Sequence, residues 1–270
     1  MHTSMTPSKP TSRPWILAET SYDQVRQLDY QVAVLPLGAT EPHNLHLPYG
    51  TDTIEATGLV EKVCSEAWRK GARVVMLPEI PYGTETNMRE FPLAMNLSPT
   101  TLFAVLQDLI QSVEKSGIRK MVLFNSHGGN DFKPFLRQIY GQTQVQLFLC
   151  DWFKMVADRQ SEIFEHKEDH AGEMETSLVM HLTPHLVQYQ ADGKLHADSG
   201  AVNPMRFEAL RRGWVSITRP WHLLTTNSGS GNPHAATPDK GKAVAELVSE
   251  RLVPFLVDLA ASPLDPSFPF

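Results

Sequence analysis

The chain has 270 residues, of which 41% are hydrophobic and 9% aromatic, enough for a sizeable core and incompatible with wholesale disorder. Lys and Arg number 24 against 30 Asp and Glu, and the net charge of -6 argues against a nucleic-acid binder, which would carry a basic excess. Two cysteines exclude a disulfide framework or a thiolate zinc cluster and suit a reducing compartment; with 11 histidines in the chain, any metal would be held through nitrogen and oxygen.

Taken in chain order, residues 1–14 are mostly Ser, Thr, Pro and Lys without an apolar run, and read as a loosely ordered arm rather than a signal peptide. Residues 31–37 (QVAVLPL) are a compact apolar run ending at Gly38, predicted as a buried strand. Residues 52–70 carry apolar side chains at helical spacing and stop at Gly71. A second strand is expected at 73–77 (RVVML). Ser98 then stands at an N-cap with Pro99 at the first helical position, opening a helix to about residue 115. The third and fourth strands fall at 120–124 (KMVLF) and 145–149 (VQLFL), with a helix over about 130–140 between them. Further helices are expected over about 171–182 and 239–260, the latter with Asp239 at its N-cap, before a proline-rich tail at 263–270.

Strands alternating with helices imply an α/β fold, a mostly parallel sheet covered on both faces in three α/β/α layers. In such sheets ligands bind beyond the carboxyl ends of the strands. No stretch approaches the roughly 18 apolar residues of a membrane span, so a cytoplasmic protein without membrane contact is expected.

The chemistry-bearing residues collect at those carboxyl ends. The first strand runs into GATEPHNLHLPYGTD (38–52), which holds Glu41, His43, His46 and Asp52; the third runs into NSHGGN (125–130), which holds His127. Either loop alone reads more readily as an ordinary polar turn, but two at one sheet edge point to a site. The helix at 171–182 adds an independent argument. Ala171, Met174, Leu178, Val179 and Leu182 form one core-facing stripe, with Glu175 inside it and Glu173 on the opposite side. A carboxylate on a buried face needs a partner, either an arginine or a metal ion. Glu41, His43, Asp52, His127 and Glu175 together exceed what one open mononuclear site takes; they suit two divalent ions bridged by a carboxylate, with water between them made nucleophilic near neutral pH. His170 reads either as a proton shuttle or as a polar residue of the helix-entry loop.

The runs GATEPHNLHLPYGTDT, NSHGGN and HAGEMETS, with SGSGNPHAATPDKG at 228–241, resemble the creatininase family of metal-dependent amidohydrolases, in the family's order from about residue 30 to 245. The resemblance implies a single α/β/α domain, here residues 15–262, assembled as a homohexamer. It places Glu41 and His127 on one ion, His43 and Glu175 on the other, Asp52 across both, and makes His170 the catalytic histidine. Zinc, manganese and iron all suit these ligand types. The implied partners are a small-molecule amide and further copies of the chain. Creatininases proper carry an aromatic and an acidic residue where Gly128 and Gly129 stand; the Gly-Gly form resembles a broader branch that includes formamide deformylases and the mycofactocin-precursor peptidase. The expected reaction is therefore hydrolysis of a non-peptide or cyclic C–N amide bond. The alternatives are cleavage of a short modified peptide, or metal binding without hydrolysis.

The segment Glu90-Phe91-Pro92-Leu93-Ala94 departs from the Phe-Pro-Gly-Thr of relatives, in a pocket wall or a subunit contact. Tyr49, Gly128, Gly129, Asn130 and Trp152 adjoin the motif loops as substrate-binding candidates. His46 reads as support for its loop, and Cys64 and Cys150 as packing residues. Residues 228–231 form either an anion cradle or a connection that reaches the site or a neighbouring subunit.

Overall fold

The computed structural model describes residues 13–167 and 169–270, so the arm expected over 1–14 lies, up to residue 12, outside the described residues. Strand β1 (Val32–Leu37) is buried throughout. Strands β2 (Val74–Met76), β3 (Lys120–Asn125) and β4 (Gln146–Asp151) join it in the order β2-β1-β3-β4, every pairing parallel. Strand pleating sends alternate side chains to two cores. Val32, Val34, Val122 and Phe124 face one, whereas Ala33, Leu35, Met121 and Leu123 face the other. A strand covered on both faces must be apolar at every position, which is why these runs were readable. Pro36 is an exception to the avoidance of proline in central strands. Its carbonyl accepts from Ile80 N at 3.0 Å, beyond the point where the register with β2 ends at Val34 and Met76, so the missing N–H costs no ladder bond.

Five long helices pack on the sheet: α1 (Thr51–Arg69), α2 (Pro99–Lys115), α3 (Lys133–Ile139), α4 (Glu173–Leu182) and α5 (Pro238–Ala261). Leu59, Val63, Leu178, Val248 and Leu252 bring α1, α4 and α5 onto one core; Leu102, Leu106, Ile110 and Phe135 bring α2 and α3 onto the other. The three-layer α/β/α arrangement is thus as expected. Ser98 caps α2, accepting from Thr101 N at 3.3 Å with Pro99 behind it. Three helices differ from expectation at their ends. Helix α3 begins only after Phe132, and Tyr140 leaves it with ψ 124°. Helix α4 starts at Glu173, because Ala171 has φ +53° and Gly172 an extended ψ of -148°. Thr237, not Asp239, caps α5 by accepting from Lys240 N at 3.2 Å, and Asp239 lies in the first turn, where a carboxylate suits the helix dipole.

The topology creates a crevice. Strand β1 continues through α1 to β2 on one side, while β3 continues through α3 to β4 on the other. Adjacent strands whose connections leave in opposite directions splay their exit loops apart, and ligands bind at such switch points. Gly38 brings the exit of β1 against α1: a Cβ there would lie 2.4 Å from Thr53 Oγ1 and 2.6 Å from Thr53 N. Residues 263–270 are mostly exposed, although Phe268 packs edge-on to Phe148 with ring centroids 6.2 Å apart. Among the described residues, no helix is long and apolar enough to cross a membrane.

Candidate metal centre

The crevice gathers the six residues singled out by the motifs. Glu41 and His43 come from the loop after β1, Asp52 from the first turn of α1, and His127 from the loop after β3; His170 precedes α4, and Glu175 lies in its first turn. His127 Nδ1 is 3.1 Å from Glu41 Oε1 and 3.2 Å from Asp52 Oδ2. His43 Nε2 is 3.3 Å from Asp52 Oδ1 and 3.8 Å from Glu175 Oε2. Two donor clusters result, Glu41–Asp52–His127 and His43–Asp52–Glu175, with the donor atoms of each within 4.8 Å of one another. Asp52 belongs to both and turns one oxygen to each imidazole. A third grouping, Glu41–His43–His170, overlaps them.

Each ring is oriented from its far nitrogen. His43 Nδ1–H donates to the Glu41 carbonyl at 3.0 Å, which turns Nε2 to the carboxylates. His170 Nε2–H donates to the Pro42 carbonyl at 2.8 Å and leaves the Nδ1 lone pair 3.6 Å from Glu41 Oε1. His46 is fully buried with Nε2 2.7 Å from Thr176 Oγ1, tying its loop to α4 as expected.

The donor chemistry fits divalent cations. Glu41, His43 and Asp52 are at most 2% exposed, and Glu41 Oε2 has no hydrogen-bond partner, a costly arrangement unless positive charge compensates it. In the metal-free protein protons supply that compensation. Burial raises Glu41 well above the usual carboxylate range and lifts Glu175 to about 7. Burial disfavours a charge on His43, but Asp52, Glu175 and Glu41 outweigh it and push the ring up to about 10. His127 is likewise raised against burial, by Glu41, Asp52 and Glu85. Burial and the nearby His43 cation push His170 down to about 3, so this ring is neutral at physiological pH.

Glu175 Oε2 accepts from Ala171 N at 2.6 Å, which shapes the turn carrying His170. Glu173, expected on the side of α4 away from the core, is completely buried, because α5 covers that side as well. It pairs with Lys240 Nζ at 2.5 Å and accepts from the backbone N–H groups of Glu165 and His166, each at 2.9 Å. Gly241 permits the close crossing: a Cβ there would lie 1.9 Å from Ser177 O.

A cleft of about 400 Å³ opens onto the cluster between Gly128, Gly129, Arg219 and Trp221. A second, of about 290 Å³, is lined by Trp152, Phe153 and Met174 and meets the first at Gly128, Asp169 and Glu175. Gly128, Gly129 and Trp152 therefore border cleft space. Trp152 is 1% exposed, with Nε1–H donating to Ser126 Oγ at 2.8 Å. Tyr49 and Asn130 border neither cleft. The Tyr49 hydroxyl donates to the Pro92 carbonyl at 2.8 Å, and Asn130 links two loops by accepting from Thr84 N at 3.0 Å and donating to Asn125 Oδ1 at 3.1 Å. Both residues stay against the motif loops in space, Tyr49 O accepting from Glu41 N at 3.1 Å, but their side chains are engaged in holding those loops. Leu93 takes a left-handed φ of +59° in an exposed turn, a conformation that favours glycine.

The N–H groups at 230 and 231 are already used, Ser230 N donating to His170 O at 2.8 Å and Gly231 N to Gly200 O at 3.1 Å. The segment thereby clamps the His170 loop, and those two N–H groups are not available to an anion. Cys64 and Cys150 are free, and burial pushes the Cys150 thiol up to about 12, in keeping with packing roles. Glu85 was not anticipated. It is fully buried with Oε1 2.9 Å from His127 Nε2, and it comes from an irregular stretch without periodicity or motif.

A parallel α/β/α sheet with shared carboxylate and imidazole donors buried at its switch point defines a class of α/β proteins suited to divalent metals. A sequence model of the creatininase family, described as creatinine amidohydrolase, matches residues 18–256, and the chain belongs to that family of amidohydrolases. It is 27% identical over 216 residues to the mycofactocin precursor peptide peptidase of Mycobacterium tuberculosis, covering 78% of each chain. It is 28% identical over 176 residues to the creatinine amidohydrolase of Pseudomonas putida, covering 58% of this chain and 66% of that one. A solved Bacteroides fragilis structure, described only as a candidate creatinine amidohydrolase, superposes with a TM-score of 0.86 at 32% identity, covering 94% of this chain and 99% of that one. A manganese creatininase shares the fold with a TM-score of 0.71 at 20% identity, covering 93% and 100% of the two chains.

Proposed function

We propose that this chain is a metal-dependent amidohydrolase that cleaves a non-peptide or cyclic C–N amide bond of a small molecule. The observation that carries the reading is the pair of donor clusters sharing Asp52. Glu41 and His127 would hold one divalent ion and His43 and Glu175 the other, with Asp52 available to both. Solved creatininases of a Zn–Zn type and a manganese form keep zinc and manganese as the leading choices, beside iron. When bound, two such ions supply a water acidic enough to ionise near neutral pH and polarise the amide carbonyl.

The chain's own residues position and move the protons. The His170 Nε2–H is fixed on the Pro42 carbonyl, and its Nδ1, turned toward the Glu41 carboxylate at 3.6 Å, is placed to accept a proton and pass it to the departing nitrogen. Backbone pairing of His170 with Ser230, at 3.0 and 2.8 Å, holds the ring in place. The two clefts meet at Gly128, Asp169 and Glu175 and together offer more room beside the donor clusters than either alone. That room favours, as the second reading, trimming of a short modified peptide, the reaction class named for the mycobacterial relatives. We place the chain in a homo-oligomer, a hexamer by family resemblance. Phe207, Trp214, Val215, Ile217 and Leu223 are each more than half exposed along one stretch and need a cover.

Elemental analysis of protein purified without chelators, followed by assays on formamides, cyclic ureides and short peptides, tests the proposal. About two divalent ions per chain, with chelator-sensitive turnover of a non-peptide amide, is the expected result. Two ions with cleavage of peptides alone selects the second reading. Two ions without hydrolysis of any of these compounds marks a metal-binding member without activity. A chain that takes up no divalent ion refutes the proposal.

A further inference from the structure

We infer that Glu85 is the buried anchor of His127, a positioning residue that sets the affinity of the ion held by Glu41, Asp52 and His127. The inference rests on the reading of those three residues as ligands. The two nitrogens of His127 face opposite groups. Nδ1 points to Glu41 and Asp52, at 3.1 and 3.2 Å; Nε2 lies 2.9 Å from Glu85 Oε1 and 3.3 Å from the Thr84 carbonyl. Acceptors face both nitrogens; with an ion held on the Glu41–Asp52 side the proton stays on Nε2, where the acceptors remain, and the Nδ1 lone pair is left for the centre. A carboxylate on the far nitrogen of a ligating imidazole fixes its tautomer and ring orientation and strengthens its basicity.

Packing gives the arrangement no other purpose. Glu85 is 0% exposed, the Glu41 carboxyl adjoins it, and neither of its oxygens has an aligned hydrogen bond among the described residues, which leaves the 2.9 Å ion-pair contact with His127 Nε2 to compensate its charge. A carboxylate buried this way costs free energy that a leucine or methionine would not. The neighbouring glycine makes the approach possible. A Cβ at Gly129 would stand 2.2 Å from His127 Nε2 and 2.6 Å from the Thr84 carbonyl, on the side of the ring that Glu85 occupies. Gly129 and Glu85 thus act together, the first leaving room beside Nε2 and the second placing a charge there.

The test uses the full chain stripped by chelator and titrated with Co(II), following the visible absorption of the bound ion, for the wild type, Glu85→Gln and His127→Ala. Glu85→Gln keeps the side-chain shape and removes the charge. It is expected to weaken one of the two ions by about 10–100-fold and shift its Co(II) spectrum, while the other ion and the melting temperature of the stripped protein hold. A variant that binds both ions with wild-type affinity and spectrum overturns the role of Glu85 alone. Equal weakening of both ions with a lowered melting temperature also overturns it, as a general packing defect. A wild-type chain that binds no Co(II), or a His127→Ala variant that binds it unchanged, overturns the ligand assignment beneath it. Should Glu85→Gln fail to fold, Glu85→Asp retracts the carboxylate by one methylene. A loss of about tenfold is then expected, and wild-type affinity overturns the inference.

Discussion

Loss of Asp52 is expected to be felt at both ions. Its oxygens stand 3.3 Å from His43 Nε2 and 3.2 Å from His127 Nδ1, and both donor clusters contain it. Asp52→Asn keeps the shape and removes one negative charge. Two unit charges about 4 Å apart at an effective dielectric of about 20 attract by about 4 kcal/mol. A directly bound dication is closer and doubly charged, so that figure is a floor. At about 1.4 kcal/mol per tenfold, each ion loses at least about 1,000-fold in affinity. His127→Ala and Glu175→Gln each disturb one cluster only. Dialysis of the four proteins against buffered Zn(II), then elemental analysis, reads the stoichiometry, with circular dichroism to show that the fold persists. About two ions are expected in the wild type, none in Asp52→Asn, and about one in each of the others. If Asp52→Asn keeps one tightly held ion, the carboxylate is not shared. If all four proteins keep two, the assigned site is wrong.

Metal uptake is also expected to release protons. His43, held at about 10, and His127, raised well above 6.5, are both charged at pH 7 in the metal-free protein and must give up those protons to bind, so affinity rises with pH and falls in acid. Calorimetry in buffers of differing ionisation enthalpy is expected to show more than one proton released per chain at pH 7; release of none would contradict the protonation pattern. His170→Ala is expected to keep its ions and its circular dichroism spectrum while kcat on an identified amide falls by about 100-fold or more. Unchanged turnover removes His170 from the mechanism. Lys240→Met leaves Glu173 buried without its ion-pair partner and is expected to cost about 3–5 kcal/mol in denaturant unfolding, part of which Glu173→Gln restores. A loss below about 1 kcal/mol would show that the two backbone N–H groups suffice for Glu173.

The parts of the fold that were legible are those whose rule is local. A strand covered on both faces is apolar at every position, and Ser98 followed by Pro99 opens a helix by its own hydrogen bonding and fixed φ. Glu173 shows where a local rule stops. The helical period separates two sides of α4, but only the arrival of α5 makes both of them interior. The same holds at the edge of the site. Tyr49 and Asn130 sit beside motif residues in sequence, yet their side chains are spent on Pro92, Thr84 and Asn125. Glu85 lies in an unpatterned stretch and acquires meaning only from the His127 ring it meets.

The sequence by itself determined the alternation of strands and helices, and from the position of each loop after its strand it put Glu41, His43, Asp52 and His127 at one sheet edge; Glu175 joined them through the apolar face of its helix and His170 through the family resemblance. The tertiary structure alone decided that Asp52 turns one oxygen to each imidazole and that His170 is pinned through Nε2 on Pro42. It alone put a buried carboxylate behind His127. Hydrogen-bond direction and burial depend on atoms brought together from distant segments, and no stretch of the chain contains that information until the sheet, its switch point and the two crossing helices have assembled.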